Sequence, residues 1–94
     1  MLNAVKKSLR ISNNHFDDEI AGLIEAARLD LIQSGISSDK AKDDEDALVR
    51  RAIITYCKAH FGLANKDDVP VKEMYQRSYE MIKQHLSLSG DYSV

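Results

Sequence analysis

The sequence predicts an all-α protein, a small four-helix bundle with a central apolar third helix and a short N-terminal helix. Three observations predict it. The run ALVRRAIITYCKAHFGL (residues 47–63) is apolar on nearly every side when stepped at ~100° per residue, leaving only a narrow strip of Arg51, Thr55 and Lys58 polar. A helix of that kind must be surrounded by its own protein, and this one is too short and too charged to span a bilayer. The flanking segments carry apolar residues at spacings of three and four, and none alternates as a strand would. Four Gly and one Pro in 94 residues leave little material for turns, so the elements should be few and long.

In order, Leu2, Val5 and Leu9 place a short amphipathic helix over residues 1–10. Ser12, Asn13 and Asn14 then form a polar break with cap-forming side chains. The second helix is expected from about Phe16 to Ser34, with Phe16, Ile20, Leu23, Ile24, Ala27 and Leu31 as its main stripe and Gly35 in the left-handed position beyond it. Asp17, Asp18 and Glu19 occupy its first turn, where the helix dipole favours negative charge. Leu29 and Ile32 fall outside the stripe, Leu29 lying about half a turn from Ile20 at ~100° per residue. Either another segment of this chain or another subunit has to cover them.

Residues 36–46, ISSDKAKDDED, have no apolar period and are expected to form a mobile loop. Its acidic end, Asp43 to Asp46, supplies a cap and first-turn charge to the third helix. Lys58 and His60 sit near the other end, again on the favourable side; Gly62, Asn65 and KDDVP close that helix, and Pro70 suits the first turn of the next. The last helix, about Pro70 to Leu86, puts Val71, Met74, Tyr75, Ser78, Tyr79, Met81, Ile82, His85 and Leu86 on one face. Lys72, Glu73, Gln76, Glu80 and Lys83 hold the other. Residues 1–86 therefore read as one helical domain, and residues 87–94, SLSGDYSV, as a flexible C-terminal tail.

The chemistry-bearing residues do not assemble into a catalytic pattern. Cys57 and His60, spaced i, i+3, offer two zinc ligands where a structural site needs four; a packed thiol and a part-buried imidazole are the better reading. The run Asp43–Asp46 lacks the Gly and the ligand alternation of a calcium loop, and His15, Asp17, Asp18 and Glu19 read as solvated helix-start charge. No nucleophile elbow and no Gly-rich phosphate loop occurs. The single cysteine excludes an intrachain disulfide, and MLNAVKKSLRI has no apolar core of a secretory signal. A net charge of −2 argues against a dedicated nucleic-acid binder. No catalytic residue, cofactor or metal is expected, and no membrane partner.

Order and spacing point further. The opening L-x-x-V-K-x-x-L-R-I (Leu2, Val5, Lys6, Leu9, Arg10, Ile11), an Asn/Asp-rich break, DDEIAGLIEAARLDL (Asp17 to Leu31), a loop, and an apolar helix beginning Ala47, Leu48, Val49 together resemble the head–tail connector proteins of long-tailed bacteriophages and prophages. These are also described as DNA-packaging or head-completion adaptors. The resemblance covers roughly residues 1 to 64; beyond it only a further helix carries over, and HFGLANKDDVPV lacks the Trp-containing pattern of relatives.

The resemblance implies a structural, non-catalytic virion protein at the head–tail junction, made in the bacterial host cytoplasm. It implies a ring of about a dozen copies beneath the portal protein that extends the DNA channel and offers a platform to the next adaptor or tail-completion protein. DNA would pass without sequence-specific recognition. In that setting Leu29 and Ile32, with the basic Lys6, Lys7 and Arg10 and the acidic Asp43 and Asp44, are the candidate subunit interface, since separate patches of opposite charge permit head-to-tail contacts that close into rings. Leu88 and Tyr92 are candidates for a tail ordered by a partner. Two other readings stay open. One is a small helical DNA-binding regulator, suggested by Arg50, Arg51 and the basic N-terminus; the other is a helical protein-interaction module or enzyme subunit.

Overall fold

The hydrophobic pattern resolves into five helices in a computed structural model, which describes residues 1–62 and 69–94. Among the described residues there is no strand, and the protein is all-α. The expectations for Leu63, Asn65 and the run 66–68 lie outside the described residues.

Helix α1 (Leu2–Leu9) buries Val5 and ends at Arg10, whose φ of 60° is left-handed. The N–H groups of Arg10 and Ile11 donate back to the carbonyls of Lys7 and Lys6 at 3.1 and 2.9 Å, which satisfies the end of the helix. A side chain other than glycine there costs roughly 1 kcal/mol. Helix α2 (Asp17–Gln33) buries Ile20, Ile24, Ala27 and Leu31 of the expected stripe, while Leu23 is half-buried and Phe16, just before the helix, is exposed; Gly35 takes φ +100° beyond its end.

The segment after Gly35 is not the featureless loop expected. Ser38–Ala41 forms a one-turn helix, α3, whose cap is the Ser37 hydroxyl accepting from the Lys40 N–H at 3.3 Å. Ile36 and Ala41 are fully buried. Two apolar residues among nine polar ones carry no period, yet burying an isoleucine removes enough apolar surface to contribute about 2 kcal/mol. That fixes the segment.

Helix α4 (Ala47–His60) is the central element and packs against α1, α2 and α5. Val49, Ala52, Ile53, Cys57 and Ala59 are buried, whereas Ile54 is only partly covered. Asp46 is its N-cap: Oδ1 accepts from the N–H groups of Leu48 and Val49 at 3.0 and 3.1 Å. Helix α5 (Val69–Leu88) runs two residues past the expected end and takes Pro70 into its first turn. It buries Tyr79 and Leu86, and the Tyr79 hydroxyl donates to Asp30 Oδ2 on α2 at 2.5 Å, beside Lys83 Nζ at 3.1 Å.

The tail does not hang free. It turns back so that Ile36 and Ser93 form an antiparallel bridge, with Ser37 N–H donating to the Tyr92 carbonyl at 2.8 Å and Val94 N–H to that of Gly35 at 2.9 Å. The Tyr92 hydroxyl donates to Asp46 Oδ2 at 2.8 Å. Asp46 thus serves the helix cap and the tail at once. Burial opposes its charge, but hydrogen bonds from Val49, Tyr92 and Leu48, with the nearby Lys40, outweigh that and hold its carboxyl below the ordinary 3.8.

A carboxyl lowered in the folded state contributes stability above its unfolded pKa and loses it as the pH falls through the folded one. Replacing Asp46 by Ala should therefore cost roughly 1–2 kcal/mol at neutral pH. The difference from wild type should shrink below about pH 4, where the unfolded-state carboxyl begins to protonate. Urea denaturation across that range checks it; a pH-independent cost would mean the carboxylate charge contributes nothing.

Candidate assembly surface

The positions proposed from the sequence fare differently in three dimensions. Leu29 lies on the side of α2 away from the core and is 58% exposed, whereas Ile32 packs partly against the core of its own chain. Lys6 is committed internally, to Asp17 at 2.8 Å and Asn14 Oδ1 at 3.1 Å. Lys7 and Arg10 are exposed. Asp44 accepts from the Arg28 guanidinium at 2.8 Å, and Asp43 accepts from the Glu45 N–H at 3.0 Å. The two acids hold the loop before α4 and are not free bridging charges. Tyr92 is held within the chain as described, while Leu88 stands 78% exposed at the end of α5.

Arg28 was not singled out by the sequence. Its head group, nearly covered, joins α2 to the Ala41 carbonyl at 3.0 Å as well as to Asp44. A guanidinium can form two directed bonds to neighbouring acceptors in this way. Its Nε also lies 3.6 Å from Glu25, an i, i+3 pair within α2, but the two bonds that tie the helix to the next segment reach residues 13 and 16 positions away, beyond any helical period.

The apolar arc read on α5 divides into two stripes. Tyr79 and Leu86, with Ile82, face the core. Val71, Met74, Ser78, Met81, His85 and Leu88 instead follow one another at alternating spacings of three and four, and all six are exposed, Met81 by 72%. That spacing is the a/d seam of a helix meeting another helix. Beside it, between α4 and α5, runs a groove of about 540 Å³ lined by Arg50, Arg51, Ile54 and Lys58 of α4 and by Tyr75 and Ile82 of α5. Lys58 Nζ stands 5.3 Å from the centre of the Tyr75 ring. Among the described residues Arg50, Arg51 and Lys58 form no ion pair.

Of the residues weighed for chemistry, Cys57 is buried, whereas His60, expected to be part-buried, is exposed, as are His15, Asp18 and Glu19. Burial pushes the Cys57 thiol up to about 12, so it carries no thiolate near neutrality. His60 shares a 2.9 Å hydrogen bond with Gln76, and Glu19 accepts from the Gly62 N–H at 3.2 Å. Among the described residues no group of three or more His, Cys, Asp or Glu could hold a metal ion, and no helix is long and apolar enough to cross a membrane.

The outside of this helical domain thus carries an exposed apolar ridge and, beside it, a groove in which Arg50, Arg51 and Lys58 outnumber a single acid, Glu45. The chain belongs to the phage connector protein family, whose model matches residues 1–93. No curated protein and no solved structure matches the chain. The match runs through the last helix and most of the tail, further than the resemblance in residues 1 to 64 reached. Membership of this family supports a general head–tail connector role, and it implies a virion component that associates with other phage head and tail proteins.

Proposed function

We propose that copies of this chain form a ring of about a dozen beneath the portal protein, which extends the DNA channel and offers a docking platform to the next adaptor or tail-completion protein. It does this without catalysis, and it is made in the host cytoplasm before joining the head–tail junction. The observation that carries the reading is the family match over nearly the whole chain. Leu29, left uncovered by its own chain, supports it, because an exposed apolar side chain on an otherwise charged helix face suits a subunit contact. The net charge of −2 suits a channel through which DNA slides without adhering. A helix-turn-helix regulator would need a free recognition helix, and the helix bearing Arg50 and Arg51 is flanked by three others.

Electron microscopy of the purified protein at high concentration, alone and with the portal protein of the same phage, tests the reading. Annular particles are expected. A chain that stays monomeric and never joins portal complexes would overturn it. Replacing Leu29 by Asp should leave the far-ultraviolet circular dichroism unchanged and reduce assembly at least tenfold in sedimentation. If that variant unfolds, Leu29 belongs to the core and not to an interface.

A further inference from the structure

We propose that the outward face of α2 in one copy seats in the α4–α5 groove of the next copy, antiparallel to α4, with Glu25 against Arg51 and Asp18 against Lys58. The inference rests on the ring reading and supplies the contact that the ring needs.

The two surfaces are complementary in charge and in spacing. On α2 the side opposite Ile20, Ala27 and Leu31 carries Asp18, Gly22, Glu25 and Leu29, one stripe at spacings of four, three and four; Glu25 lies 3.6 Å from Arg28 of its own helix and its side chain is still 71% exposed. On α4 the outward stripe carries Arg51, Ile54 and Lys58. Asp18 and Glu25 are seven residues apart, as are Arg51 and Lys58, so each pair spans about 10.5 Å along its helix. Run antiparallel, the pairs Glu25–Arg51 and Asp18–Lys58 form together, and Leu29 comes to lie over the exposed Ala47. Run parallel, Leu29 would pass beyond the end of α4. Met74 and Met81 stand exposed on α5 one turn either side of the groove-lining Ser78, and methionine adapts readily to the surface it meets.

Gly22 fits the same contact. A Cβ added there would meet nothing within 4 Å, so no contact inside the chain requires glycine in the middle of this helix. An approaching helix does gain from it, because the backbones can come closer. The stripes also point the right way. Helices α2 and α4 pack together through their buried sides, so the two outward stripes lie on opposite sides of the pair. A patch on one side that meets a different patch on the other is a heterologous contact, the kind that propagates around a ring.

Sedimentation velocity of the full chain tests this with four variants: Glu25→Arg, Arg51→Glu, the two combined, and Gly22→Leu. Each single charge reversal should raise the concentration needed for assembly at least tenfold, and the combined variant should recover most of that loss. Gly22→Leu should melt at or above the wild-type temperature and still fail to assemble, which separates docking from folding. Reversals that assemble like wild type would overturn this interface and leave the ring reading standing. A wild-type chain that never assembles would take down both. Salt-dependent binding of duplex DNA, lost in Arg51→Glu while assembly persists, would give the groove to DNA and overturn the proposal.

Discussion

Replacing Ile53 by Asp should leave the chain unfolded at every temperature in water. Ile53 is fully buried at the middle of α4, the helix that touches α1, α2 and α5. An aspartate there would have to lose its hydration without a partner or stay protonated, at a cost of several kcal/mol. The loss of the isoleucine adds its own transfer and cavity penalty of about 2–5 kcal/mol. The total matches the 5–15 kcal/mol that a domain of this size has to lose. Circular dichroism should show the helical signal gone. The neighbouring Ile54, part-exposed in the groove, makes the contrast: although the sequence treats the two alike, Ile54→Asp should keep the fold. A folded Ile53→Asp would mean that the helix is not central.

Replacing Tyr79 by Ala should destabilise the protein by about 3–5 kcal/mol, the usual cost of deleting a large buried ring. Tyr79 is the largest fully buried side chain, and its ring meets that of Tyr56 edge-on at 5.1 Å between centres. Its hydroxyl reaches Asp30, which also holds Lys83. Burial first, and then the hydrogen bond and charge of Asp30, push the phenol far above its ordinary pKa, so it stays a donor at any working pH. Burial opposes the charge of Lys83, yet its bonds to Glu80 and Asp30 more than offset that and raise its pKa. Tyr79→Phe keeps the ring and removes one hydrogen bond to a charged acceptor, so it should cost about 1.5–3 kcal/mol. Urea titrations of both variants resolve ring from hydroxyl. Equal losses would show that the hydroxyl dominates.

What the sequence made legible was what repeats locally. The middle of the α2 stripe, the Asp46 cap and the left-handed Gly35 each leave a signature within a few residues and are found where expected, whereas Phe16 is exposed and α4 is open along the side that carries Arg51, Ile54 and Lys58. Ile36 left none, because its burial depends on the tail returning from the far end of the chain to bridge at Ser93. Arg28 shows locally only its i, i+3 spacing from Glu25; its bonds to Ala41 and Asp44 cross the turn after α2 and follow no helical period. On α5 the pattern was read correctly as apolar but too broadly as one face, since a period of 3.6 cannot say how much of a wide apolar arc the core will cover. The core takes Tyr79 and Leu86; the neighbouring stripe stays outside. Charge was harder still. Lys6 and Asp44 look free in the sequence and are paired in space, whereas Arg50 and Arg51, set beside acidic residues in the chain, face an open groove.

The fastening of the tail sets a path for mechanical load. A pull on Val94 first meets the Ile36–Ser93 bridge, made of the Val94 N–H bond to Gly35 and the Ser37 N–H bond to Tyr92, and then the phenol of Tyr92 on Asp46. The bridge lies just past the end of α2, and the phenol contact lies at the N-cap of α4. Tension arriving at the tail therefore enters the segment between α2 and α4 before it strains α5, and the first joint to give is a pair of backbone bonds, followed by a single phenol–carboxylate contact.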